Sequence, residues 1–121
     1  MNKKKTLVLG ASTNPDRYSC MAIKNLRLKG HEVVALGRRV GKVKDVDIAV
    51  DPVNIQDLDT VTLYLNPTNQ KPYYDYIIDQ APKRIIFNPG AENKELVKLA
   101  KEHGIKTLNA CTLVMLSTGQ Y

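Results

Sequence analysis

The stretch that decides the fold spans residues 6–39 and reads TLVLGASTNPDRYSCMAIKNLRLKGHEVVALGRR. Leu7-Val8-Leu9 is an apolar run that gives way to four small residues, Gly10-Ala11-Ser12-Thr13. A polar loop follows, apolar residues then recur at helical spacing over residues 18–29, and Gly30 closes that segment. Val33-Val34-Ala35-Leu36 is a second apolar run, stopping at Gly37-Arg38-Arg39. Strand, small-residue turn, helix and strand in this order predict the opening βαβ unit of a doubly wound sheet. The turn after the first strand lies under the free N–H groups of the helix's first turn, where anions, phosphates above all, are favoured. A ligand is expected there.

The rest of the chain repeats the alternation. Lys42 to Lys44 is polar, residues 47–50 predict a short strand ending at Asp51-Pro52, and Ile55 and Leu58 suggest one helical turn before the next strand. Val61-Thr62-Leu63-Tyr64-Leu65 is β-branched and aromatic, the best central strand after the first. Pro67 and Pro72 fit before or within the first turn of a helix, where a missing N–H costs nothing. That helix is expected to run through Tyr73, Tyr76 and Ile77 and to stop before Pro82. Residues 84–87 predict a strand ending at Asn88-Pro89-Gly90. Asn93 is the expected N-cap of the next helix, with Glu95 favoured by the dipole and Leu96, Val97 and Ala100 as its buried stripe. Gly104 ends it, residues 105–108 form the last strand, and residues 112–117 a short closing helix. The fold class is α/β: a doubly wound parallel sheet ordered 3-2-1-4-5, or with a sixth strand, between helices on both faces.

The 121 residues read as a single domain over 1–121, without linker, repeat or low-complexity tract. A chain of this size buries ~65% of the surface it exposes unfolded. No apolar run approaches the roughly 20 residues of a membrane span. The basic start, Met1-Asn2-Lys3-Lys4-Lys5, lacks the apolar stretch of a signal peptide. Cys20 and Cys111 form no CxxC pair, and a reduced, cytoplasmic protein is expected. Residues 1–44 hold eleven Lys/Arg against Asp16 and Glu32, a balance of +9, while residues 45–121 carry −3. The basic excess shares a half with the proposed phosphate turn and favours an anionic partner.

In an open α/β sheet, ligands lie outside the carboxyl ends of the strands, at the switch point between strands one and four. Here those ends carry Gly10-Ala11-Ser12-Thr13, Gly37-Arg38-Arg39, Asn66-Pro67-Thr68, Asn88-Pro89-Gly90 and Asn109-Ala110-Cys111, small, polar and turn-forming residues throughout. The end of strand two discriminates most. A NAD site places a carboxylate there for the adenosine ribose. Arg38 and Arg39 stand there instead, and arginine forks suit a phosphate on that ribose. This leaves NADP and coenzyme A, with solvated loop charges as the plain alternative.

The ordered set of motifs resembles the small CoA-binding, Rossmann-type domain family, which is similar to the N-terminal part of the succinyl-CoA synthetase α subunit. The family's V-x-G-A-S-x-x-P turn is matched by Val8 to Pro15, and its Gly-aromatic-x-Val segment by Gly30 to Val33, with His31 in the aromatic place. An acidic residue leads strand four (Asp59), and Gly90-Ala91-Glu92-Asn93 follows strand five. An Ala-x-x-x-Gly-Ile segment spans Ala100 to Ile105, and a cysteine, Cys111, follows the last strand. The resemblance covers essentially the whole chain. It implies that Gly10 to Thr13 cradle the CoA diphosphate, with Arg17 and Tyr18 closing over it. The segment after strand two would flank the adenine and ribose phosphate, Asn66 and Pro67 would touch the adenine or pantetheine side, and Gly90 would line the opposite wall. Two departures stand out. Leu36-Gly37-Arg38 replaces the family's Val-Asn-Pro, and Leu65-Asn66-Pro67 replaces Phe-Arg-Pro, where the lost arginine leaves Arg38 or Arg39 to compensate.

No catalytic residue and no metal site is assigned. No Tyr-x-x-x-Lys pair is present, and there is no room for a substrate domain, which argues against a self-sufficient NADP oxidoreductase. His31 and His103 adjoin helix-ending glycines and suit capping. Asp45, Asp47 and Asp51 flank a strand at the solvated edge, and a phosphoryl receiver would show paired acids where Gly10-Ala11 stands. Cys111, on the ligand side, is the one candidate for a mixed disulfide or acyl relay with the CoA thiol; a small buried residue is the preferred reading. Cys20 is read as core, and Tyr73, Tyr74 and Tyr76 as helix packing. The expected function is binding of CoA or an acyl-CoA as a non-catalytic or regulatory module; the alternative is an NADP-binding oxidoreductase or its subunit. No helix carries a dense Lys/Arg stripe with interleaved aromatics, which argues against nucleic acid. The opposite charges of the two halves would allow subunits to pair but do not demand it.

Overall fold

The structure, a computed structural model, describes residues 3–121; Met1 and Asn2, the first two residues of the basic start, lie outside them. The elements are β1 (Thr6–Ala11), α1 (Tyr18–Leu28), β2 (Val33–Gly37), β3 (Gly41–Val43), β4 (Val46–Ala49) and β5 (Thr60–Leu63). They continue with α2 (Pro67–Gln70), a 3-10 turn (Lys71–Tyr73), α3 (Tyr74–Asp79), β6 (Arg84–Phe87), α4 (Lys94–Glu102), β7 (Lys106–Asn109) and α5 (Thr112–Ser117). One seven-stranded sheet has the order β3-β4-β2-β1-β5-β6-β7. Every pairing is parallel except β3 with β4. The strands expected from sequence correspond to β1, β2, β4, β5, β6 and β7, and they stand in the order 3-2-1-4-5-6.

Alternation within the central strands builds both faces. Leu7 and Leu9 of β1, Val61 and Leu63 of β5, and Ile85 and Phe87 of β6 pack with Ile77 of α3 and Leu96 and Ala100 of α4. Val8, Ala35 and Ile48 face the other way, against Cys20, Ile23 and Leu26 of α1 and Leu116 of α5. These strands read as unbroken apolar runs because each is covered on both sides. Full burial of each such Leu, Ile or Phe contributes about 1.5–3 kcal/mol.

Three local expectations are corrected. The polar stretch read at Lys42 to Lys44 overlaps an edge strand, Gly41–Val43, that returns through Lys44 and Asp45 into β4, so the sheet is not wholly parallel. Val43, Val46 and Ile48 point inward while Lys42 and Asp47 point out. The hairpin has a weak signature in the sequence because its turn is Lys-Asp, with Lys44 at φ 54, rather than the usual Asn-Gly or Asp-Gly. The helical turn at 55–58 does not form. Ile55 and Leu58 are buried from an irregular loop, where the Gln80 side chain accepts the Ile55 N–H (2.7 Å) and the Tyr76 hydroxyl donates to the Val53 carbonyl (2.6 Å). The helix through Tyr73 is broken into α2, the 3-10 turn and α3, because Pro72 has no N–H to continue the ladder. It stops at Asp79, with Ala81 at φ 49 before Pro82.

Candidate functional site

β1 and β5 are neighbours whose chains depart in opposite directions, which opens a crevice at their carboxyl ends. The β1–β2 register slips between Leu9 and Ala11, at Gly10, whose φ is 95°. A Cβ on Gly10 would lie 3.1 Å from both the Tyr64 carbonyl carbon and Leu65 Cδ2. Glycine is therefore required twice over, by conformation and by the close passage of the chain leaving β5.

The turn beyond Gly10 is held by its own polar groups. Ser12 Oγ accepts the Asn14 N–H (3.0 Å), Asn14 Oδ1 accepts the Asp16 N–H (3.0 Å), and the Asn14 carbonyl accepts the Arg17 N–H (3.0 Å). Residues 13–18 are exposed. α1 then starts behind an extended Arg17, with no side chain of the described residues capping it and no acidic residue in its first turn. The contrast with α2 and α4 is instructive, since Asn66 and Asn93 cap those helices through their side chains. A helix start of this kind carries partial positive charge and unpaired donors that an outside anion can satisfy.

The expected binding residues fall into four groups. Gly10, Ala11, Ser12, Thr13, Arg17 and Tyr18 share one turn, and Gly37 lies beside it, paired with Ala11 across β1 and β2. Arg38 and Arg39 are exposed in the loop that leaves Gly37 for the edge hairpin. On the other side of Gly10, Asn66 is exposed with its Oδ1 accepting the Asn69 N–H (2.9 Å), and Pro67 opens α2. Pro89 and Gly90 are exposed one strand further away, the Gly90 N–H donating to Glu92 Oε1 (2.8 Å). Asn88 stands apart from these. It is buried, its Nδ2 donates to Thr62 Oγ1 (2.7 Å) and the Leu63 carbonyl (2.9 Å), and its Oδ1 accepts the Thr112 N–H (2.9 Å). Its side chain clamps β5 to the start of α5.

Other polar residues shape the crevice without having announced themselves in the sequence. Gln70, fully buried, donates to the carbonyls of Leu65 (2.8 Å) and Ala91 (2.7 Å) and accepts from Asn93 (2.8 Å). It ties the exit of β5 to the loop after β6; within Thr-Asn-Gln-Lys it reads as surface. The Tyr64 hydroxyl is buried and finds no partner among the described residues, and burial pushes its pKa up to about 12. The Thr62 and Thr112 hydroxyls nearby oppose that rise but are bonded to one another (2.7 Å).

Cys111 is half-buried at the entrance to α5, and Cys20 is in the core. His31 and His103 sit at the amino ends of β2 and β7, opposite the crevice. His31 Nδ1 accepts the Lys4 N–H (2.9 Å), and His103 Nδ1 pairs with the Leu99 carbonyl (3.0 Å). Asp45 is engaged by Arg27 through two bonds of 2.9 and 2.7 Å, each group favouring the charged form of the other. No three metal-ligating side chains converge among the described residues. An open hollow of about 450 Å³ runs between α1 and α5, lined by Met21, Lys24, Asn25, Leu113, Val114 and Ser117, none of them at a strand end. No helix of the described residues is long and apolar enough to cross a membrane.

A mostly parallel sheet with a glycine bend after its first strand and an uncapped helix behind it defines a small Rossmann-like, three-layer α/β domain. The model of the CoA binding domain family matches residues 4–117, and the chain belongs to that family. Similar solved structures include an uncharacterised protein, 46% identical over 100% of both chains with a TM-score of 0.96. A hypothetical protein from Pyrococcus horikoshii OT3 is 24% identical, covering 97% of this chain and 84% of that one with a TM-score of 0.86. A protein from Thermus thermophilus is 18% identical, covering 98% and 91%, with a TM-score of 0.84. The last two show the fold alone. No curated protein matches the chain.

Proposed function

We propose that this protein binds coenzyme A or an acyl-CoA at the β1–β5 crevice and acts as a non-catalytic or regulatory module. The observation that carries the reading is the uncapped start of α1 under the Gly10–Thr13 turn. A diphosphate would supply there the charge and the acceptors that no side chain provides, an interaction worth about 0.3–2 kcal/mol for the dipole alone. Arg38 and Arg39, exposed beside the turn, would take the 3′-phosphate of the ribose, and Arg17 and Tyr18 would close over the diphosphate. Asn66 and Pro67 flank the ligand on the β5 side, with Pro89 and Gly90 as the far wall and Asn88 behind it as scaffold. Membership of the CoA binding domain family supports the choice of ligand. Two imidazoles committed to backbone groups at the opposite edge support binding without chemistry. Two free cysteines, one of them in the core, fit a reducing cytoplasm.

Calorimetric titration of CoA, dephospho-CoA, NADP and ATP tests the reading. CoA is expected to bind most tightly and to weaken on loss of its 3′-phosphate; a preference for NADP favours an oxidoreductase or its subunit instead. Replacing Arg38 and Arg39 by Ala removes charge-assisted bonds of about 1.5–3 kcal/mol, so CoA should weaken ten- to a hundredfold and dephospho-CoA far less. Equal weakening of the two ligands would deny the arginines their phosphate.

A further inference from the structure

The two arginines are bracketed by glycines, Gly37 before them and Gly41 after Val40. Neither has a positive φ, so conformation does not call for glycine at either place; space does. A Cβ on Gly37 would run into the Ala11 carbonyl oxygen and stand 3.1 Å from Ile48 Cγ2. A Cβ on Gly41 would fall on the Thr13 methyl, Cγ2, with Thr13 Cβ 3.8 Å from the same point. The turn after β1 therefore crosses both ends of the loop that carries Arg38 and Arg39. At its far end the contact is one methyl group on one bare α-carbon. Thr13 is exposed, so this methyl is not there to fill the core.

We propose that Gly41 is a positioning residue, whose bare α-carbon seats the Thr13 methyl and thereby fixes the separation between the diphosphate turn and the arginine loop. The inference rests on the reading of the site given above. In a nucleotide such as CoA the 5′-diphosphate and the 3′-phosphate hang from one ribose ring, which holds them at a set distance. A protein that reads both groups needs two anion seats held at a matching distance before the ligand arrives. β3 belongs to an edge hairpin joined to the sheet on one side only, through β4. Seating Thr13 on Gly41 ties this edge directly to the turn.

Titration calorimetry with CoA and dephospho-CoA on the wild type, G41A, T13S and the double variant tests the proposal, with melting temperatures to show that each is folded. G41A should cut the preference for CoA over dephospho-CoA about tenfold, the worth of one charge-assisted bond. T13S removes the methyl that the new Cβ meets and keeps the hydroxyl and the backbone N–H. Adding it to G41A should bring the preference back to within about threefold of wild type, a rescue that a general loss of folding would not show. Should G41A fail to fold, T13S alone decides, since emptying the seat should lower the preference by about threefold. A preference unmoved in G41A and T13S, or lost in G41A and not rescued, overturns the proposal. A wild-type protein that binds neither nucleotide overturns the reading of the site instead, and the two failures are distinct.

Discussion

Replacing Asn88 by Ala separates a ligand contact from a scaffold more cleanly than any other change in the crevice. The side chain makes three hydrogen bonds, to Thr62 Oγ1, the Leu63 carbonyl and the Thr112 N–H, and is only 3% exposed. Each bond is worth about 1 kcal/mol net, and leaving buried partners unpaired raises the total toward about 4 kcal/mol. For a domain of this size such a loss lowers the melting temperature by roughly 10–15 °C. N88A should therefore melt well below wild type in scanning calorimetry, yet bind CoA with nearly the wild-type constant at temperatures where it remains folded. The opposite pattern, a melting temperature within about 3 °C of wild type and a lost affinity, would show that Asn88 meets the ligand and that the clamp is not its main work.

G10A forces a side chain onto a φ of 95° and to within 3.1 Å of Tyr64 and Leu65, so it should cost about 2–4 kcal/mol and weaken CoA as well; an unchanged melting curve would contradict the close passage. Y64F removes a buried hydroxyl with no partner among the described residues, so the melting temperature should hold or rise by a few degrees; a clear fall would reveal a bond the hydroxyl does make. His31 has its pKa lowered by burial first, then by Lys3, Lys4 and Arg84. Its contribution to stability is thus complete above the unfolded value of about 6.5 and is lost as pH falls through the lower folded value. Melting temperatures between pH 8 and pH 5 should fall more steeply for wild type than for H31N, whose Oδ1 can still accept the Lys4 N–H; parallel profiles would exclude His31 as the cause.

The run of strands and helices was legible because its causes are local. Leu7-Val8-Leu9 is apolar on both faces and Val61-Thr62-Leu63 is β-branched and buried on both, Gly30 and Gly104 stand at φ 83 and 72 where helices must end, and Asn93 caps α4 with its own side chain. The bend at Gly10 and the arginines at the end of β2 were legible for the same reason, and so was the parallel order that joins them. Other features depend on partners distant in sequence. Whether Asn88 faces a ligand or Thr112 is fixed by α5, 24 residues later. Gln70 looks like a surface residue until the Ala91 carbonyl arrives to accept its amide. The edge hairpin carries weak turn residues and is held by the pairing of β4 with β2. Hydrophobic period and backbone conformation are written residue by residue, so the chain alone determined the six parallel strands and the position of the glycine bend after the first. Buried hydrogen bonds and close approaches exist only between segments that folding has brought together, so tertiary structure alone decided which strand-end residues are open to a ligand and which hold the crevice in shape.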